Sequence, residues 1–250
     1  MSNHLSLRSG NPVLKANTFI QRQTTIDTGT MTITGTVNKT ALGLLLLMTT
    51  AIFTWNMAPT DPRMSVLMMV GIFGGLIAAI ITVFKRHLAP YTTPIYALLE
   101  GLALGGISRF FETLYPGIVN QAVFLTFGTL AALLFAYQSG LIKPTENFKL
   151  GIVAATGGIF FVYIISFILG LFGVQVPLIH SNSNFGILFS FGVVVIAALN
   201  LVLDFDFIEE GAEIGAPKYM EWFGAFGLLV TLVWLYLEIL HLLAKLQSRR

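Results

Sequence analysis

Seven long apolar stretches decide what this chain can fold into. They run approximately over residues 40–58, 64–84, 91–111, 118–137, 149–173, 185–208 and 222–246. A bilayer core about 30 Å thick is crossed by roughly 20 helical residues at about 1.5 Å each, and all seven stretches meet that requirement. The expectation is an all-α fold, an integral membrane bundle of seven transmembrane helices. Composition agrees: 55% of residues are hydrophobic and 10% charged, and the mean hydropathy is +0.81, outside the range of ordinary soluble domains.

Turn residues punctuate the stretches: PTDPR at 59–63, YPG at 115–117, KPTEN at 143–147, IHSNSN at 179–184 and GAPK at 215–218. No connection is long enough for a second domain. Residues 1–39, polar and rich in Thr, are expected to form a cytoplasmic N-terminal arm, partly extended or disordered, leaving 40–250 as the transmembrane domain. The first 23 residues contain no apolar core of the signal-peptide kind, so the first helix is expected to act as its own insertion signal.

The net charge of +2 arises from basic residues near helix ends. That pattern argues against nucleic acid and acidic substrates as partners and is instead a topology signal. Arg8, Lys15, Arg22, Lys39, Lys85, Arg86, Lys143, Lys149 and Lys218 fall on one side, against Arg63 and Arg109 on the other. An excess of Lys and Arg marks the cytoplasmic side, so the N-terminus is expected there. Seven spans place Lys245, Arg249 and Arg250 opposite, against the rule; six spans and a re-entrant segment would remove the conflict, but the summed loops carry more weight. No cysteine is present, which excludes disulfides, thiolate metal sites and thiol nucleophiles. A retinal receptor is also excluded, because the last helix has no lysine at mid-membrane depth.

Gly71 with Gly75, and Gly101 with Gly105, are spaced four apart, which lets helices approach closely. Packing is their expected role.

A charge at the centre of a membrane helix costs about 2.5 to 3.5 kcal/mol on insertion scales, so the few that occur are kept for pairing or function. Glu100 lies far from either end of its helix. Arg109, nine residues on, falls on the opposite face about 13 Å along the axis, so the two cannot pair within one straight helix. Arg109 either meets a carboxylate of another helix or snorkels to the interface. Asp204 shares a face with Asn200, while Asp206 points about 160° away. Asp206, Glu209 and Glu210 therefore read as a solvated acidic mouth on the cytoplasmic side, with Asp204 the inward-facing group. Glu238 and His241, three apart in LYLEILHLL, share a face; His241 is either a packing residue or a proton relay.

These positions motivate a carboxylate pair, Asp204 with Glu238, on adjacent helices. Two close carboxylates share a proton and titrate together, and the same oxygens suit a hard cation such as Ca²⁺. Depth is the difficulty. Asp204 lies near its helix end, whereas Glu238 lies about 24 Å into its span, so the sixth helix must continue past Glu210 or the seventh must begin later.

The residues resemble the Bax-inhibitor membrane proteins, also called transmembrane Bax-inhibitor-motif proteins, in their bacterial YccA-like branch. NPVL and MTITGTVNKTAL in the arm, EGLALGGIS around Glu100, Asp204-Phe-Asp-Phe-Ile208 and Leu235-Tyr236-Leu237-Glu238 carry the likeness. The resemblance implies a plasma-membrane protein whose last helix lies near the bundle centre, with Asp204 and Glu238 in place of paired aspartates proposed to sense protons in a calcium leak. It likewise implies that Glu100 is a pore-lining acid and Arg109 a candidate latch of the closed state. The family's Asp-Thr-Gln-x-Ile motif is altered here at Phe205 and Asp206, its second Asp is Glu238, and the acids stand 34 residues apart.

The leading expectation is a pH-sensitive, Ca²⁺-permeable leak channel gated by protonation of Asp204 and Glu238, with no cofactor and no catalysis. Glu100, Asn200 and His241 are its candidate pore or relay residues. Its alternatives are an interaction protein that regulates a membrane protease or a stress pathway through a membrane-protein partner, and a proton-coupled transporter. Intramembrane aspartyl proteolysis is disfavoured because the Gly-x-Gly-Asp motif is missing.

Overall fold

A computed structural model of the chain describes residues 29–173 and 183–249. Most of the expected arm, with Arg8, Lys15 and Arg22, and most of the turn at 179–184 lie outside the described residues, as does Arg250. Seven α-helices are described: α1 (Ile33–Trp55), α2 (Pro62–Phe84), α3 (Ala89–Leu114), α4 (Ile118–Gln138), α5 (Glu146–Leu171), α6 (Asn184–Glu213) and α7 (Met220–Gln247). A single 3₁₀ turn, Arg86–Leu88, joins α2 to α3. The described residues contain no strand, only an isolated bridge between Thr30 and Pro217.

Capping chemistry sets the helix ends. Asp61 accepts from the Arg63 amide at 2.9 Å ahead of Pro62, and Thr145 accepts from the Phe148 amide at 3.3 Å. Glu112 in the last turn of α3 accepts from the amides of Gly117 and Val119, at 2.6 and 3.1 Å, and so caps α4.

α1 starts earlier than hydropathy predicts, at Ile33 rather than near residue 40. Thr32 caps it, and the Thr36 and Thr40 hydroxyls each donate to the carbonyl four residues back, at 3.0 Å. Threonine hydroxyls satisfied within the helix let a polar stretch continue it. α6 runs past Glu210 to Glu213, as a deeper Asp204 requires.

Six of the seven helices are long and apolar enough to cross a membrane; α3, at 26 residues, is long enough but not apolar enough. Its small and polar residues face protein. Thr92, Thr93, Gly101, Gly105 and Ser108 are all buried. A Cβ at Gly101 would meet the Leu47 carbonyl and Thr50 Oγ1, and one at Gly105 the Ala51 carbonyl and Thr54 Oγ1. On its other side, a Cβ at Gly71 of α2 would come within 2.6 Å of the Leu99 carbonyl oxygen. Thr50 Oγ1 donates to the Leu98 carbonyl at 2.8 Å, and Thr82 bonds Thr92 at 2.7 Å. The small-residue pairs are thus packing devices, and hydroxyls bind the helices together.

The described residues divide into two compact units. One holds 29–119 and 206–230; the other holds 120–173, 183–205 and 231–249.

Candidate functional site

In the second unit, α6 and α7 place two acids in an apolar interior: Asp204 is 2% exposed and Glu238 is 6% exposed. Asn200, one turn before Asp204, is buried as well. Its Nδ2 donates to Thr156 Oγ1 on α5 at 2.9 Å and to the Ile196 carbonyl at 2.8 Å. The face predicted for Asn200 and Asp204 is therefore an inward one. Phe205, the next residue, packs its ring 5.8 Å from that of Tyr137 on α4.

Glu238 accepts two hydrogen bonds on one oxygen. The Tyr163 hydroxyl of α5 donates to Oε1 at 2.9 Å, and Trp234 Nε1 donates to the same atom at 3.2 Å. An indole N–H only donates, and two donors occupy both lone pairs of Oε1. A proton on this carboxyl therefore sits on Oε2. Both donors are neutral, and no Lys, Arg or His among the described residues makes an ion pair with Glu238. His241, predicted to share the face of Glu238, is exposed instead. Trp234, four residues before the acid, is its partner along the helix.

Beyond Asp204 the acids expected to form a solvated group differ in exposure. Asp206 and Glu210 are half-buried and Glu209 is exposed. All three lie within α6 rather than in a loop.

In the first unit, Glu100 on α3 rests against α2. A Cβ at Gly75 would lie 2.7 Å from Glu100 Oε2, so the glycine makes room for the carboxylate. Arg109 stacks its guanidinium over the Trp55 ring, 5.6 Å from the centroid, and its Nε is buried without a hydrogen bond. Among the described residues no carboxylate makes an ion pair with it. A cation–π contact holds the candidate latch residue.

One cluster has no counterpart in the sequence reading. Glu221, in the first turn of α7, is fully buried. It accepts from the Thr32 amide and hydroxyl at 2.9 and 2.8 Å, from Lys218 at 2.8 Å and from Lys39. The Lys39 ammonium also lies 5.7 Å from the Trp222 ring centroid. Met31 donates to the Ala216 carbonyl at 2.7 Å, so the entry to α1 is sewn to the turn before α7. Beside the cluster, burial pushes the Tyr219 phenol above its usual range, and Arg86 partly offsets the shift. Glu221 had a sequence signal: an acid in the first turn after GAPK, with lysine three residues earlier.

Among the described residues, no group of three or more His, Asp or Glu side chains comes together to hold a metal ion. Asp204 and Glu238 are thus two acids on different helices of one unit.

A family model described as Bax inhibitor 1 like matches residues 11–248. No curated protein and no solved structure matches the chain.

Proposed function

The chain belongs to the Bax inhibitor 1 like family, and from that premise we propose that it is a pH-sensitive, Ca²⁺-permeable leak channel gated by protonation of Asp204 and Glu238. The observation that carries the reading is a carboxylate buried in an apolar helix and held by neutral donors alone, Tyr163 and Trp234. Its charge is set by desolvation against two hydrogen bonds and the field of the Lys245 ammonium two turns on, with no ion pair among the described residues to fix it. Such a group responds to protons. Asp204, equally buried, is its partner in the switch, and Asn200 orients the wall beside it.

Seven spans are part of this reading, with α3 as the additional one. Its 26 residues reach about 39 Å, enough for a core of about 30 Å, and its polar residues are covered by α1 and α2 rather than by lipid. Enclosure of the last helix is supported by the 67% buried share of its apolar window, against 44% or less for the other candidate spans. The N-terminus is cytoplasmic and the membrane a bacterial plasma membrane. Glu100 is a pore-lining acid, His241 a relay residue, and Asp206, Glu209 and Glu210 a solvated acidic group. Arg109 serves as a latch once a carboxylate displaces Trp55. Calcium is cargo, since two carboxylates supply too few of the six to eight oxygens of a resident site.

The test is Ca²⁺ flux into liposomes containing the purified chain. Wild type leaks with a pH-dependent rate, and Asp204→Asn and Glu238→Gln abolish that dependence. Wild-type pH dependence in both variants overturns the reading.

A further inference from the structure

The start of α6 and the end of α7 meet within one unit. Lys245 Nζ donates to Ser190 Oγ at 2.7 Å and to the Gly186 carbonyl at 3.3 Å, and Arg249 Nη1 donates to Asn184 Oδ1. Between the helices runs a groove of about 420 Å³, walled by Ile187, Leu188, Phe191, Leu242 and Leu246, with Asn184 and Arg249 at its end. That volume falls within the range of about 300 to 1,000 Å³ typical of small-molecule sites.

Depth and charge identify what fits. Both helices are long and apolar enough to cross a membrane. The 28 residues of α7 extend about 42 Å, longer than a hydrocarbon core of about 30 Å, and the cations Lys245 and Arg249 at this end set its last turns at headgroup level. The groove therefore joins an acyl-chain environment to a cation at headgroup level. Asn184 is a neutral acceptor, and no carboxylate among the described residues makes an ion pair with Arg249. The amino-terminal end of α6 adds positive potential at the same place.

We propose that this groove binds one anionic phospholipid, an acyl chain along the apolar wall and the phosphate against Arg249. A guanidinium pairs with a phosphate through charge-assisted hydrogen bonds, and an anionic headgroup leaves that pair's charge balanced. A zwitterionic headgroup brings a second cation to a place already positive. The assignment is independent of ion transport.

The test is native mass spectrometry of the delipidated full chain in detergent, titrated with dilauroyl phosphatidylglycerol, dilauroyl phosphatidylcholine or laurate. Phosphatidylglycerol is expected to fill one site about tenfold more tightly than phosphatidylcholine. Arg249→Gln removes that preference, and Leu188→Trp, which fills the groove, weakens both lipids. Both positions are exposed, Leu188 to 67%, so the variants keep the fold. Equal binding of the two lipids, or a preference that survives Arg249→Gln, overturns the proposal. Laurate binding as tightly as phosphatidylglycerol overturns it in favour of a fatty-acid site.

Discussion

Tyr163 on α5 and Glu238 on α7 are joined by a hydrogen bond of 2.9 Å from the phenol to Oε1. Trp234 reaches the same oxygen, so two aromatic donors fix which carboxyl oxygen is left for a proton or for another partner. Removing either donor leaves the acid buried with one hydrogen bond. Tyr163→Phe is expected to destabilise the protein by about 1 to 3 kcal/mol, the range for a lost bond to a buried or charged group, read as a lower Tm in detergent. It should also move the midpoint of the proton-dependent leak. A lower Tm with an unmoved midpoint would make Tyr163 a packing residue only.

A second prediction concerns Glu221. Its carboxylate is fully buried among Thr32, Lys39 and Lys218. Glu221→Ala leaves the Lys39 ammonium, 20% exposed, without its counter-charge and frees the cap of α1. The expected loss is about 3 to 5 kcal/mol. Lys218→Ala removes a side chain that is 46% exposed, and costs about 0 to 1 kcal/mol. Thermal unfolding of the two variants checks the order; equal losses would mean that the cluster is not held by its buried half.

The contrast between the two acids also marks what the sequence makes legible. Six helices, α2 to α7, fall within a few residues of their expected ranges; in five of them a bilayer's demand for length and apolarity makes the range legible, while α3 is long but less apolar. α1 escapes that reading over Ile33–Lys39, where Thr36 and Thr40 satisfy their own hydroxyls against the helix. The burial of Asp204 follows from its phase with Asn200. Glu221 does not stand out, because its partners Lys39 and Lys218 read as topology charges and Thr32 is 189 residues away in the chain. For Glu238, spacing offers both Trp234 and His241 as neighbours on the helix, and only tertiary packing selects Trp234.

Glycines in different surroundings should respond with opposite signs. A Cβ at Gly101 meets the Leu47 carbonyl, a backbone atom that moves only if α1 and α3 separate. Gly101→Ala should cost about 1 to 3 kcal/mol, as overpacking does. At Gly157 in α5 nothing lies within 4 Å of the added atom. There the substitution removes only the penalty of glycine inside a helix, and stability should rise by about 0.5 to 1 kcal/mol. Thermal unfolding of both variants reads the signs directly; a fall in Tm for Gly157→Ala would reveal a neighbour that this chain alone does not supply.

Gly71 and Gly75 extend that logic from stability to transport. At Gly71 the added Cβ would lie 2.6 Å from the Leu99 carbonyl oxygen and 2.7 Å from the Ala103 amide nitrogen, both backbone atoms. At Gly75 it would lie 2.7 Å from Glu100 Oε2, the tip of a flexible side chain, and 3.9 Å from the nearest backbone atom. Gly71→Ala should therefore destabilise the α2–α3 contact by about 1 to 3 kcal/mol, read as a lower Tm. Gly75→Ala should leave Tm nearly unchanged while turning the Glu100 carboxylate away from α2. If Glu100 lines the cation path, that rotation lowers Ca²⁺ flux in liposomes, and Glu100→Gln lowers it further. Wild-type flux in Gly75→Ala and in Glu100→Gln would remove Glu100 from the path.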